Sequence, residues 1–152
     1  MAHASLTTPV GTLCVVEDQG AIIRLLWQEA PEGTEGSAVT DLAIAQLRAY
    51  FAHELIEFDL PLVVEGSDFQ RDVCAAMSAI PLGHTRTYGE IAKDLGAAAQ
   101  PVGNACGANP IPVIIPCHRV LGASGLGGFS GAGGVETKVS LLRHEGAAGL
   151  LI

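Results

Sequence analysis

The chain has 152 residues, 49% of them hydrophobic, with 19 glycines and a formal net charge of −8. This is a globular composition with length for one core or two small domains; it excludes a disordered chain, and no apolar run approaches a membrane span. Residues 1–66 carry ten acidic and two basic side chains and residues 67–152 six of each, so strong binding of nucleic acid by bulk charge is excluded, while a neutral half can still use helix N-termini and backbone amides.

In chain order, Thr12 to Val16 and Ala21 to Trp27 are apolar, β-branched runs separated by Glu17-Asp18-Gln19-Gly20, the pattern of a β-hairpin. Residues 30–37 have loop composition. Leu42, Ile44, Leu47, Tyr50 and Phe51 recur at helical spacing within 40–53. Glu57-Phe58-Asp59-Leu60 alternates polar and apolar residues and predicts a third strand, and Pro61 to Gly66 reads as a linker. Residues 1–60 therefore predict a small α+β domain.

Ser67 followed by Gln70 is a capping-box pattern, opening a helix with Phe69, Val73, Met77 and Ile80 on one stripe. Pro81-Leu82-Gly83 stops it. Thr87 and Glu90 form a second capping box, before a helix that carries Ile91, Ala92 and Leu95 and ends at Gly96. Val102 to Ala108 predicts a further helix with Pro101 in its first turn. Two short helices joined by a tight turn are the pattern of a helix-turn-helix. Seven glycines in residues 122–134 predict a long mobile loop. Val135 to Glu145 predicts a last helix, stopped by Gly146.

The N-terminus lacks a basic region followed by an apolar segment, so no secretory signal is read there. The four cysteines, Cys14, Cys74, Cys106 and Cys117, have neither CxxC nor zinc-finger spacing, which favours free thiols and no metal.

The chemistry concentrates in PIPVIIPCHRV, residues 110–120. Three prolines and an apolar run predict a buried, extended path that ends in Cys117, His118 and Arg119. A thiol is a few per cent thiolate at neutral pH. A histidine base oriented by a carboxylate would raise that fraction, and Glu145 is available in the last helix. The bland readings stand beside this one. Buried cysteine is commonly inert packing, adjacent residues of an extended segment point apart, Arg119 can serve carbonyls, Tyr88 can be an ordinary helix-start residue, and Asn109 before Pro110 a turn residue.

The chain resembles the O6-alkylguanine-DNA alkyltransferases. The resemblance rests on IPCHRV at 115–120, GANPIP at 107–112, IPLGHTRTYGEIA at 80–92 and GGFSGAGGVETKVSLLRHEG at 127–146. Looser matches are TPVGTL at 8–13, LRAYFAHELIEFDLPL at 47–62 and Phe69-Gln70. It implies an α+β protein with a small RNase H-like domain over 1–64 and a helical domain with a helix-turn-helix over 65–152. It implies a monomeric, cytoplasmic DNA-repair protein without cofactor or metal, acting on double-stranded DNA that bears O6-alkylguanine, with O4-alkylthymine as a further substrate. The damaged base is flipped out, and Cys117 takes the alkyl group irreversibly, once per molecule.

The resemblance also assigns roles. His118 is the base acting through a water, Glu145 orients it, and Tyr88 bonds the guanine near N3 and supplies a proton. Asn109 holds the turn presenting the cysteine, Ser130 closes on the O6 side, and Val120 with nearby carbonyls reads the exocyclic amine. Arg119 and Phe129 belong to the substrate-binding set. Gln100 stands where the family usually has an arginine that fills the gap left by the flipped base. Phe129 replaces a common tyrosine, Cys74 a frequent tryptophan, and the lid loop is two residues longer than usual. Three other readings compete: a lesion sensor without transfer, a cysteine hydrolase on Cys117 and His118, and a helix-turn-helix regulator. The last would want a basic recognition helix, and residues 97–108 contain no Lys or Arg.

Overall fold

The computed structural model describes residues 1–129 and 131–147. The chain divides into two compact units, Met1–Glu65 and Gly66–Ile152.

The first unit is a three-stranded antiparallel sheet in the order β1 (Ala2–Thr8), β2 (Gly11–Asp18), β3 (Ala21–Leu26), with helix α1 (Ala38–Phe51) packed on it. The β2–β3 hairpin turns on Gln19 and Gly20, at φ 50° and 83°. That pair of positive values is the turn whose twist matches the strands it joins. Cys14, Val16 and Ile23 form one buried cluster with Leu26 and Ala30. Thr40, Ala43, Ile44 and Leu47 bury the stripe of α1, which begins at a Ser37–Thr40 capping box.

Two expectations change here. The N-terminal segment forms β1, paired along its length with β2. The segment 57–60 is not a strand. The Gln46 side-chain amide occupies the Asp59 backbone instead, donating to its carbonyl at 2.9 Å and accepting from its N–H at 2.8 Å. The extended pairing comes slightly later, where Leu62 bridges Ile22 in parallel.

The second unit holds α2 (Asp68–Ser78), β4 (Arg86–Thr87), α3 (Tyr88–Leu95), α4 (Ala99–Gly107), a 3-10 turn (Cys117–Arg119), β5 (Val120–Leu121) and α5 (Val135–Glu145). Val73, Met77, Ile91, Val102, Ile111, Leu141 and Leu142 are fully buried among these elements. Ser67 caps α2 by accepting from the Gln70 N–H, but the Gln70 side chain does not complete a capping box. Its Nε2 donates to the Ala105 carbonyl at 2.8 Å and so ties α2 to α4. Thr87 and Glu90 do form a reciprocal box at the start of α3. Gly96 ends α3 in the left-handed conformation, at φ 65°, as a residue without Cβ can. Three residues later α4 begins, giving the helix-turn-helix. It starts at Ala99, three residues before the sequence expectation.

Candidate active site

The peptide before Cys117 is folded back on itself. Asn109 Nδ2 donates to the Ile115 carbonyl at 2.8 Å, and its Oδ1 accepts from the Ile111 N–H at 3.0 Å. One side-chain amide thus closes the loop 109–115. Within it, Ile114 N–H donates to the Pro112 carbonyl at 2.9 Å, and Val113 takes a φ of 70° while fully buried. A β-branched residue in the left-handed region is strained by about 1–3 kcal/mol and persists only where its surroundings over-determine it. Cys117 N–H then donates to the Ile115 carbonyl at 2.8 Å across Pro116, whose φ and ψ are −82° and 69°. This is an inverse γ-turn.

The segment 117–119 is therefore a tight 3-10 turn and not the extended path that the prolines suggested. In such a turn successive side chains splay around an axis rather than alternate across a strand. Cys117 lines a cavity of about 420 Å³ with Tyr88, Gly103, Cys106, Gly107, Gly128 and Phe129. His118 and Arg119 are directed to Glu145.

That second cluster is fully specified. His118 Nε2 lies 2.7 Å from Glu145 Oε2. Arg119 donates to the same carboxylate twice, from Nε at 2.8 Å and Nη2 at 3.0 Å, and from Nη1 to the Ile80 carbonyl at 2.6 Å. One guanidinium thus joins the end of α2, the 117–119 turn and the end of α5. Burial alone would raise the Glu145 carboxyl, but the hydrogen bonds from His118 and Arg119 outweigh it and hold it down at about 2. With the carboxylate ionised, His118 donates from Nε2 and its lone pair lies on Nδ1. That Nδ1 is buried and finds no hydrogen-bond partner among the described residues. Burial also lowers the His118 pKa, against the pull of Glu145, so the ring rests neutral.

Tyr88 reaches the cavity because β4 and β5 pair in parallel, Arg86 beside Val120 and Thr87 beside Leu121. The two-residue ladder sets the start of α3 against the chain that leaves the 117–119 turn. Gly127 completes this arrangement: a Cβ there would lie 2.9 Å from both Tyr88 Cε2 and its hydroxyl oxygen.

The sequence reading missed Lys138. It is fully buried in α5, donates to the Val120 carbonyl at 2.6 Å and the Gly128 carbonyl at 3.1 Å, and sits 5.8 Å over the Tyr88 ring. Burial pushes its pKa down to about 8. Burial likewise raises the Cys117 thiol, opposed by a hydrogen bond from Asn109 and by the Lys138 charge. The signal was present: Lys138 shares the i, i+3, i+4, i+7 face with Leu141, Leu142 and Glu145, where a solvated lysine does not belong.

Of the residues expected at the site, Cys117, Tyr88 and Phe129 line the cavity, and His118 and Glu145 pair beneath it. Asn109 shapes the turn. The Arg119 guanidinium is committed to Glu145 and Ile80 and is absent from the cavity wall, the placement of a residue that braces the site. Val120 is fully buried and its carbonyl already accepts from Lys138. Gln100 is exposed in the first turn of α4, outside the cavity. Ser130 lies outside the described residues. All four cysteines are free, and among the described residues no group of three or more side chains could hold a metal. No described helix is long and apolar enough to cross a membrane.

The site is a cysteine presented in the cavity of a helix-turn-helix unit, next in the chain to a paired histidine and glutamate. Two family models cover nearly the whole chain. They are the 6-O-methylguanine DNA methyltransferase ribonuclease-like domain over residues 1–64 and the DNA binding domain of the same protein over 68–147. A methylated-DNA–protein-cysteine methyltransferase of Mycolicibacterium paratuberculosis is 51% identical over 80% of this chain and 71% of its own. The constitutive enzyme of that name from Bacillus subtilis is 38% identical over 94% of each. Among solved structures, Mycobacterium tuberculosis O6-methylguanine methyltransferase superposes with a TM-score of 0.83 at 40% identity, covering 95% of this chain and 92% of the other. The M. tuberculosis OGT in complex with DNA gives 0.84 at 41% identity, covering 96% and 93%. The chain belongs to the 6-O-methylguanine DNA methyltransferase family.

Proposed function

We propose that this chain repairs double-stranded DNA by moving the alkyl group of O6-alkylguanine irreversibly onto Cys117, acting as a monomer and once per molecule. The observation that carries the reading is the placement of Cys117 in the cavity wall with the His118–Glu145 pair next in sequence and in space.

In this reading α4 faces the duplex and the flipped base occupies the cavity. Its loss of stacking, a few kcal/mol, is recovered by the Tyr88 and Phe129 walls and by polar contacts. The His118 Nδ1 lone pair takes the Cys117 proton through one water. The imidazolium so formed is stabilised by Glu145, and Lys138 favours the thiolate. The sulfur attacks the alkyl carbon, the carbon–O6 bond breaks, and the electron pair leaves with the guanine. Tyr88 supplies a proton near N3 as that charge develops. The product is a thioether, a poor leaving group, so nothing in the site reverses the step.

The charge distribution supports a DNA contact made largely by backbone. Ala98 gives α4 no side-chain cap, so the first amides of that helix are open to a phosphate. The test is intact mass after mixing with a duplex bearing one O6-methylguanine. The native chain should gain one methylene and Cys117→Ser none. Retention of the duplex in a gel shift with no mass gain would instead make the chain a lesion sensor.

A further inference from the structure

A second thiol faces the cavity, and the chemistry described above does not use it. Cys106 lies on the buried face of α4 with Val102 and Ala105 and lines the same cavity as Cys117. Each sulfur belongs to a different element, one to the recognition helix and one to the 117–119 turn. Their proximity is electrostatic as well as geometric: after burial, a charge on Cys117 is what pushes the Cys106 thiol furthest up, to about 12.

We propose that the cavity is a two-thiol trap for bifunctional alkyl lesions, in which a 2-haloethyl group taken from O6-(2-haloethyl)guanine by Cys117 is closed onto Cys106. The proposal rests on the alkyl-transfer reading and extends it to a second bond. In the first step the Cys117 sulfur bonds the carbon attached to O6, and the guanine leaves with the electron pair, as for a methyl group. The product, a 2-haloethyl thioether, is still an electrophile. In the second step the Cys106 sulfur bonds the carbon that bears the halogen. The carbon–halogen bond breaks, halide leaves through the mouth of the cavity, and the Cys106 proton passes to solvent. The result is an ethylene bridge between the two sulfurs, with no oxidant or reductant required.

The order of the two steps follows from the environments. Burial and a charge on Cys117 hold Cys106 protonated against the opposing pull of Lys138, and the His118–Glu145 pair lies next to Cys117 in the chain, so Cys106 does not compete for the first alkyl group. It meets an electrophile only when one is tethered within the same cavity, where a high effective concentration compensates for a weak nucleophile. A two-carbon bridge also tolerates more spread between the sulfurs than the narrow geometry of a disulfide. Without the second thiol, the haloethyl group would remain free to alkylate water or the DNA strand still bound.

The experiment is peptide mapping by mass spectrometry after the native chain meets a duplex with one O6-(2-chloroethyl)guanine. A duplex with O6-methylguanine and, separately, 1,2-dibromoethane without DNA are run alongside. A peptide pair joined Cys106 to Cys117 by C2H4 is expected from both bifunctional reagents. The Cys106→Ser variant, its fold checked by far-UV circular dichroism, should carry hydroxyethyl on Cys117 instead. Should that variant not fold, the native map decides by itself. A chloroethyl or hydroxyethyl Cys117 beside a free Cys106 in the native chain would overturn the trap. So would a bridge to Cys74, whose sulfur lies 3.6 Å from Gln70 Nε2 and which does not line the cavity. Failure of methyl uptake by the native chain would overturn the transfer reading itself, and the dibromoethane arm would then show whether the thiols are nonetheless paired.

Discussion

Glu145→Gln is the sharpest test of the buried cluster. The substitution keeps the shape of the side chain and removes its charge. In the native chain the carboxylate titrates at about 2, against an ordinary value of 4.5. The difference is about two and a half pKa units, worth roughly 3 kcal/mol of folding stability at about 1.4 kcal/mol each. The sign is that of a depressed carboxyl: the contribution is fully present above pH about 4.5 and is lost as pH falls towards 2. Breaking a buried ion pair by removing one partner predicts a loss of about 3–5 kcal/mol by a separate route. It would strand Arg119, whose side chain is only 9% exposed. The assay is urea unfolding followed by far-UV circular dichroism between pH 3 and pH 7, for native and variant. A variant weaker by roughly 3 kcal/mol at pH 7, with a flattened acid limb, is expected. A loss below about 1 kcal/mol, or an acid limb as steep as the native one, would refute the placement of an ionised Glu145 between His118 and Arg119.

Lys138→Met should slow methyl transfer at neutral pH and move the pH–rate profile of the variant to higher pH, because Cys117 loses the nearby positive charge; single-turnover rates between pH 6 and pH 9 check this. Asn109→Ala removes two buried hydrogen bonds and should cost about 2–3 kcal/mol of stability in chemical denaturation, together with slower transfer. Gly127→Ala places a methyl group 2.9 Å from Tyr88 at a φ of 73°, so transfer should slow with a stability loss of about 1 kcal/mol or more, read by the same two assays. Duplex affinity of the native chain should depend shallowly on salt, since residues 97–108 carry no cation. Gln100→Arg should steepen that dependence by about one contact if the new cation meets a phosphate; a steep native slope in a salt titration would count against the backbone-amide reading.

The helix ends were legible because capping is local. Thr87 with Glu90, Gly96 and Gly146 all act within one turn of where they sit. Strand β1 was not legible. Its residues AHASLTT are half-buried at best, so neither apolar alternation nor β-branched density marks them, and only pairing with β2 makes them a strand. The false strand at 57–60 had the right alternation, but Gln46, thirteen residues upstream in the sequence of Asp59, satisfied the backbone first. At the site, Cys117, His118 and Glu145 could be named from their chemistry and from the family pattern. Their meeting could not, because it depends on Pro116 and Asn109 bending a segment that the prolines alone would extend. Arg119 was open to two readings in the sequence, serving carbonyls or contacting a substrate, and its bidentate partner Glu145 lies too far along the chain to be read there.

Arg119 also explains why the site is built from opposed influences. It helps keep Glu145 ionised, and the same positive charge lowers the basicity of His118. Burial pushes in the same direction, raising the Cys117 thiol and lowering His118 and Lys138. The resting site therefore favours an uncharged thiol beside an uncharged imidazole, which slows its reaction with stray electrophiles. In the transfer reading, charge developing on a base held in the cavity, against Tyr88, favours the ionised pair further. A catalyst that turns over needs a site returned to its starting state after each cycle. In a protein consumed by its own reaction, what matters is that the thiol is spent on the right carbon, and a thiol activated by its substrate fits that requirement better than one held permanently as thiolate.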